Sequence, residues 1–396
     1  VLVVAEVALA LVLLIGAGLM IRSFARVGAI DPGFSSERVV STRVPLPPAE
    51  YTDFPQWHGF YGRLLDRVQS LPGVISVGIN SAVPLASGAS ESGTLPDNRP
   101  LEGDSAASAM FQAASGAYFE TMGIPLLRGR VFDEPDIEGR TLVAVIDETM
   151  AEEFWPNEDP IGRRVSFESQ GDGETPEMIW REVVGVVGHV RHYELKEQSR
   201  VQLYVPYTQP PIWFDRRPPL ALFVRTQQAP ETIVSAVRAE VAQLDPNLPL
   251  FETQTMDEVL SREMATDPMF SGLLTIFSAV ALVLAAIGLY GVIAYTVARR
   301  THEIGIRMAL GADQSDVLGL VMRRAVLLTA AGLAIGLGAA FAVTRMLGSL
   351  LFEIDPHDPL TFGGITVLLA AIALVASYVP AYRATRVDPV VALRYE

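Results

Sequence analysis

Apolar and polar positions divide the chain into two regimes. Residues 1–21, broken only by Glu6, and residues 268–298, 325–344 and 359–382 are runs without charged side chains. Each reaches the about 20 residues that a helix needs to cross the hydrocarbon core of a bilayer. Between the first run and the second, apolar residues recur with the periods of half-buried strands and amphipathic helices. Residues 38–46 predict a strand, 56–70 a helix with Phe60, Leu64, Leu65 and Val68 on one face, and 74–83 a second strand. The same order returns at 220–226, 230–244 and 248–255, where Ile233, Val237, Val241 and Leu244 recur at helical spacing behind Pro230. Leu71-Pro72-Gly73 and Asp245-Pro246-Asn247 end the two helices with turn formers.

Two βαβ units, 38–83 and 220–255, can therefore share one sheet covered by two helices, with residues 84–219 inserted between them. Short β runs at 142–146, 183–187 and 201–205 predict a mixed α+β insertion. Residues 84–104 are rich in Ser, Gly, Pro and Ala and read as a mobile loop, and Gly171-Asp172-Gly173-Glu174 reads as a hairpin tip.

The second apolar run exceeds its task. Its 31 residues make a helix of roughly 45 Å, against a hydrocarbon core of about 30 Å. Either its first turns project outward as a stalk or the helix tilts. The third run carries Gly332-x-x-x-Gly336, with Ala330, Ala334 and Gly338 on a second line. Such spacing lets helix backbones approach closely, and packing within the subunit is preferred over a dimer seam.

Charge sets the orientation. The chain has 30 basic and 45 acidic residues, and residues 31–268 hold 19 and 36 of them, a net charge of -17 in that block. Phosphate binding needs a basic stripe, so nucleic acid is excluded as a partner. Arg299, Arg300, Arg307, Arg323 and Arg324 follow the second run, and Arg383, Arg386 and Arg394 follow the fourth, which places both segments in the cytoplasm. Residues 345–358 hold one basic residue against Glu353, Asp355 and Asp358, which suits the outer face. Arg22 and Arg26 count against this orientation, but a large translocated domain weakens their vote. The expected architecture is an integral membrane α-helical protein with four transmembrane helices, at residues 1–22 and about 270–298, 325–344 and 360–382. A large α+β extracytoplasmic domain, residues 31–268, is inserted between helices 1 and 2. The chain starts at Val1 without a basic n-region, so its first run is read as a span of a longer protein rather than a signal peptide.

No catalytic constellation emerges. The chain has no cysteine, which removes disulfides, a thiol nucleophile and Cys-ligated metals. Its single lysine, Lys196, has no glycine-rich loop before it and no Ser or Thr after it, so the P-loop is missing. His189 and His192 follow a β run, where three-residue spacing sends side chains to opposite faces and disfavours a shared metal. Asp133, Glu134, Asp136 and Glu138 read as a solvated face without calcium-loop spacing. Neither Gly-x-Ser-x-Gly nor His-Glu-x-x-His occurs. No enzyme activity, cofactor or metal is expected of this chain.

Three stretches carry a family signal. Arg299-Arg300-Thr301-His302-Glu303-Ile304-Gly305-Ile306-Arg307-Met308-Ala309-Leu310-Gly311-Ala312 resembles the cytoplasmic loop motif of the MacB/FtsX-like ABC transporter permeases, and the end from Pro380-Ala381-Tyr382-Arg383 to Leu393-Arg394-Tyr395-Glu396 resembles that family's ending. Tyr118-Phe119-Glu120-Thr121-Met122-Gly123-Ile124-Pro125, Phe154-Trp155-Pro156 and Pro160-Ile161-Gly162 are similar to the MacB-type periplasmic core domain. Val3-Val4-Ala5-Glu6-Val7-Ala8-Leu9, leading to Asp31-Pro32-Gly33-Phe34, further resembles the second half of duplicated orphan permeases, the ADOP group.

The resemblance implies a periplasmic core domain at 31–268 and an FtsX-like permease domain at 269–396 in a bacterial inner membrane. It implies a partner ABC ATPase subunit docking on the coupling loop, residues 299–324, through Arg300, Glu303, Ile304, Arg307 and Met308. Glu303 and Arg307 stand at i and i+4, as do Ile304 and Met308, which fits a short amphipathic helix. Further implied partners are a periplasmic adaptor or envelope protein and a second permease unit completing a dimer or pseudo-dimer. ATP-driven efflux or extrusion by mechanotransmission is the expected function. The alternative is a non-transporting FtsX-like signalling or scaffold protein that regulates a cell-wall enzyme.

Overall fold

A computed structural model describes every residue of the chain except 1, 29, 87–89, 99–106, 134–135, 137–138, 171–176, 196–199, 210–218, 266–267, 300–312, 347–353, 356 and 385–396. The chain opens with α1 (Leu2–Val27), β1 (Val39–Arg43), α2 (Phe54–Gln69), β2 (Val74–Asn80), β3 (Ser90–Pro96) and β4 (Ala107–Ala114). Then come α3 (Gly116–Met122), β5 (Leu126–Gly129), β6 (Val143–Asp147), α4 (Glu148–Phe154), β7 (Arg164–Gln170), β8 (Glu177–Val187) and β9 (Gln202–Pro206). It continues with β10 (Ala221–Thr226), α5 (Pro230–Leu244), β11 (Phe251–Thr255), α6 (Met256–Ala265), α7 (Pro268–Arg299), α8 (Gln314–Met346) and α9 (Pro359–Ala384). These elements form two units, Val1–Ala29 with Met264–Glu396, and Ile30–Glu263.

The outer unit holds both βαβ units in one antiparallel sheet of order β11-β1-β10-β2. Strand alternation splits its side chains between two cores. Val40, Val77, Ile79, Leu222 and Val224 pack beneath α2 and α5, which contribute Trp57, Phe60, Leu64, Ile233, Val237 and Val241. Val39, Ala221 and Phe223 face the other way, onto Tyr118, Phe119 and Met122 of α3. Asp53 caps α2 by accepting from the Gln56 amide at 2.9 Å, satisfying one of the amides a helix start leaves open. Buried Tyr61 ties α2 to the sheet: its hydroxyl donates to Val44 O at 2.7 Å and accepts from the Leu220 amide at 3.2 Å.

The insertion closes on itself. Its strands run β4-β3-β7-β8-β6-β9, and β9 pairs in parallel with β4 from Met110↔Gln202 to Ala114↔Pro206. Closure removes the free edges that would otherwise template association. This corrects the loop expected at 84–104: residues 90–96 are β3, paired with β4 on one side and β7 on the other. Its Ser and Gly composition argues for a loop only in isolation, because neighbours on both edges supply the hydrogen bonds that weak β propensity would not hold. The hairpin tip expected at 171–174 lies outside the described residues, although β7 and β8 on either side of it pair antiparallel.

One face of the ring packs Ala109, Phe111, Ala144, Ile146, Val165, Phe167, Leu203 and Val205 with Met150 and Phe154 of α4 and with Trp155, which follows it. Phe111 and Phe167 stack at 5.4 Å. A register shift between Val165 and Glu168 accompanies a buried ion pair, Arg181 Nη2 to Glu168 Oε2 at 3.2 Å, with side chains 1% and 2% exposed. Burial pushes the Arg181 guanidinium below its ordinary range, and its Nε and Nη1 are buried without a partner.

In the membrane unit Val7, Leu11, Ile15 and Leu19 of α1 are buried together with Leu289 and Ile293 of α7, Val321 and Ala325 of α8, and Leu369 and Ala373 of α9. Ile276, Phe277, Ile287, Leu327, Ile335, Val367 and Val375 stay exposed, as side chains facing lipid should. The four long apolar helices are those expected, but α8 starts at Gln314, so residues 314–324 of the coupling segment are helical rather than loop. Exposed Arg323 and Arg324 let the charged turns remain solvated.

Breaking the buried pair separates its cost from its worth. Glu168→Ala leaves Arg181 uncompensated and is expected to destabilise the outer unit by about 3–5 kcal/mol, whereas Arg181→Met with Glu168→Leu is expected to be neutral or stabilising. Urea unfolding followed by tryptophan fluorescence distinguishes the two.

Candidate functional site

The coupling residues Arg300, Glu303, Ile304, Arg307 and Met308 lie outside the described residues. Their supports are described. At the end of α7, Arg299 lies over the Tyr295 ring at 5.6 Å, and Arg383 of α9 donates to the Tyr290 hydroxyl at 3.3 Å. Of the helices flanking the loop, α7 is thereby tied to α9.

Gly332 and Gly336 face α1 within the same chain. A Cβ at Gly332 would stand 2.8 Å from Val7 Cβ, and one at Gly336 would stand 3.0 Å from the Ala8 backbone. Small residues at these positions admit the close approach of two backbones. Gly338, on the second small-residue line, has nothing within 4 Å.

In the outer unit the two histidines go to different partners. His189 Nδ1 meets Asp147 Oδ2 at 2.5 Å, while Asp147 Oδ1 accepts from the amides of Met150 and Gln202, each at 2.9 Å. Asp147 thus caps α4 and holds β9 at once. His192 is 4% exposed and sits in a polar chain from β2 to β4: Asn80 Nδ2 donates to Gln112 Oε1 at 2.6 Å, and Gln112 Nε2 lies 3.0 Å from His192 Nε2. With Gln112 Oε1 accepting from Asn80, its amide nitrogen must donate, so His192 Nε2 is the lone-pair nitrogen and the proton sits on Nδ1, which is buried without a partner. Burial, helped by the nearby His189, pushes His192 down to about 3.

An open cavity of about 540 Å³ lies beside α4, lined among others by Leu127, Arg128, Glu148, Glu152, Trp155 and Asp159. Its acids are partly engaged: Glu148 accepts from the His189 amide at 3.1 Å and Asp159 from the Ile161 amide at 3.1 Å. Among the described residues no group of three or more His, Asp or Glu side chains could hold a metal ion.

Residues 2–244 match the MacB-like periplasmic core domain, and residues 275–389 match the FtsX-like permease C-terminal region. The chain belongs to the MacB/FtsX-like ABC permease family. It is a multi-pass membrane protein whose large outer domain stands between the first span and the last three. Among relatives of the permease is a macrolide export ATP-binding/permease protein, MacB 2, of Aeromonas hydrophila, 28% identical over 287 residues, covering 70% of this chain and 42% of that one. A pyoverdine export ATP-binding/permease protein, PvdT, of Pseudomonas savastanoi is 28% identical, covering 69% and 40%. The permease thus spans about two fifths of the length of these relatives. The periplasmic region of MacB from Actinobacillus actinomycetemcomitans aligns at 17% identity and a TM-score of 0.37, over 58% of this chain and 94% of that one.

The stretches that carry the resemblance have plain physical work in the permease. Tyr118, Phe119 and Met122 fill the core beneath the sheet, and Gly123 ends α3 in the left-handed region at φ 68°. Phe154 and Trp155 fill the ring's core, and Gly162 turns at φ 81°. Sequence reasoning missed the Asn80–Gln112–His192 chain, because its members come from distant segments and no local period links them.

Neutral burial of His192 makes the outer unit acid-sensitive. The unfolded chain binds a proton at the ordinary histidine value of about 6.5, the folded one at about 3, so stability falls as pH drops through that window. Between pH 7 and pH 5 the loss is expected to be about 2 kcal/mol from this group. Denaturant unfolding at both pH values should show that difference shrink in His192→Gln.

Proposed function

We propose that the permease is the membrane subunit of an ABC-type export system, in which ATP hydrolysis by a separate ATPase subunit is carried to the outer domain. The observation that carries this reading is the joint match to a periplasmic core domain and an FtsX-like permease region, in the order one span, outer domain, three spans. The relatives' own names describe export of a macrolide and of pyoverdine, which supports extrusion as the class of task. The ATPase docks on the segment holding Arg300, Glu303, Ile304, Arg307 and Met308, a second permease unit completes the assembly, and a periplasmic adaptor meets the outer domain. The 32-residue α7 supports a mechanical route, since a helix of about 48 Å exceeds the hydrocarbon core and transmits displacement along its axis. No charge interrupts the central turns of the last three spans, which disfavours a polar solute path through them.

Replacing Ile304 and Met308 by Asp places charge on the docking surface and is expected to abolish co-purification with the ATPase while membrane insertion stays normal. Co-purification at the parent level would remove this loop from the interface.

The mechanical reading has its own test. Two glycines inserted after Thr266 should uncouple the outer domain from nucleotide state, because glycine adds backbone freedom between α6, which ends at Ala265, and α7, which starts at Pro268. Spin-label distances between paired outer domains in the assembled complex, with and without ATP, should shift in the parent and stay constant in the insertion variant. Equal shifts in both would show that α7 is not the transmitter.

A further inference from the structure

One strand of the insertion lies off the ring. β5 pairs antiparallel with β8 on one side, from Leu126↔Val187 to Gly129↔Gly185, and no other described strand takes its second edge. All four of its residues are exposed, Leu126 at 44% and Leu127 at 48%. A free edge offers backbone N–H and C=O groups to an added strand. Here that edge also carries two adjacent leucines, whereas Ile75 and Phe251, the outer unit's other exposed large apolar residues among those described, stand singly.

The cavity of about 540 Å³ opens against this strand, since Leu127 and Arg128 of β5 line it. Ala151, Trp155 and Val186 give the lining an apolar part. Trp155 is 2% exposed, and its indole Nε1 has no hydrogen-bond partner, which leaves one donor in the wall for an occupant's carbonyl oxygen. Four acids, Glu148, Glu152, Glu158 and Asp159, face a single lining cation, Arg128. Glu148 and Glu152 share a face of α4 at i and i+4. Glu158 pairs with Arg163, but Glu148 and Asp159 accept only from amides, which carry no charge. Glu152 makes no hydrogen bond or ion pair among the described residues.

We infer that β5 and this cavity form a docking groove for an extended basic segment of another envelope protein, which adds as a strand along β5 and sets a Lys or Arg side chain among Glu148, Glu152 and Asp159. Strand addition draws affinity from main-chain hydrogen bonds and specificity from pockets for alternate side chains. A cation in this pocket meets the carboxylates and an indole ring together. Charge selects a foreign basic segment over a second copy of this chain: residues 31–268 carry a net charge of -17, so two outer units repel each other. The groove rests on the reading that an envelope protein meets the outer unit, and it is independent of ATPase docking.

The test uses the chain in uncharged dodecyl maltoside micelles and fluorescence anisotropy of two labelled probes, Val-Arg-Val-Arg-Val-Arg and Val-Glu-Val-Glu-Val-Glu. The basic peptide is expected to bind at least about tenfold more tightly, and Glu152→Arg to weaken it by about tenfold. Glu231→Arg on α5 makes the same change in net charge outside the groove and is expected to leave binding within about twofold of the parent. N-methylation of alternate peptide amides separates strand addition from charge: blocking one alternate set should abolish binding, and blocking the other should preserve it. If Glu152→Arg folds poorly, Leu127→Ser removes an apolar wall of the groove instead and is expected to weaken the basic peptide by about fivefold. Equal losses in Glu152→Arg and Glu231→Arg, or equal effects of the two N-methylated peptides, would overturn the groove while leaving the meeting with an envelope protein to another face. Self-association of the chain that Glu152→Arg abolishes would overturn it in favour of a second copy.

Discussion

Close backbone approach around α1 sets the geometry of the membrane unit. In hydrocarbon, helix pairing gains nothing from excluding water, so contact depends on how near two backbones come. Glycine stands at each meeting: Gly18 of α1 against Ile365 and Thr361 of α9, Gly288 of α7 against Glu6, and Gly332 and Gly336 of α8 against Val7 and Ala8. Added Cβ atoms at these points would lie between 1.9 and 3.0 Å from the facing atoms, so each contact would have to open. The first span is thereby the common partner of three helices that follow it by more than 240 residues. Leu289 and Ile293 of α7, Ala325 of α8 and Ala373 of α9 then fill the remaining space as a single core.

The outer unit answers to a different constraint, that buried backbone groups need hydrogen-bond partners. In the four-stranded part β1 lies between β10 and β11, which leaves β11 at the edge, and strands of the insertion close into a ring. Buried polar groups are then recruited to join elements rather than to do chemistry. Tyr61 spans α2 and two strand ends, Asp147 caps α4 and holds β9, and Gln112 links Asn80 to His192. The fully buried Arg181–Glu168 pair is the least satisfied of these arrangements, with two guanidinium nitrogens unmatched.

Local periodicity carried much of this fold into view. The apolar runs correspond to four long helices, and the repeated strand–helix–strand order became one sheet because Phe60, Leu64, Val237 and Val241 already lay on single helix faces. What stayed illegible depends on distant segments. β3 has a loop-like composition, and only β4 and β7 make it a strand. The turns at 314–324 look like a charged loop in sequence, yet they continue a membrane helix into water. Gly332 and Gly336 were visible as a spacing, but α1 as their partner was not. Glu6 was visible as a break in an apolar run, while Gly288 as the residue facing it was not.

The strand order has a consequence for how the chain is made. β1 takes its partners from β10 and β11, and β4 takes its parallel partner from β9, about a hundred residues later. A polypeptide delivered from its amino end therefore presents β1, β2 and β4 before any strand that completes them exists. Long-range pairing of this kind is slow to form, and unpaired strands left waiting are prone to wrong association. The outer unit cannot close until the chain has emerged as far as Thr255, just ahead of the second span. Arrival of that span at the membrane and completion of the sheet thus fall at nearly the same moment of synthesis.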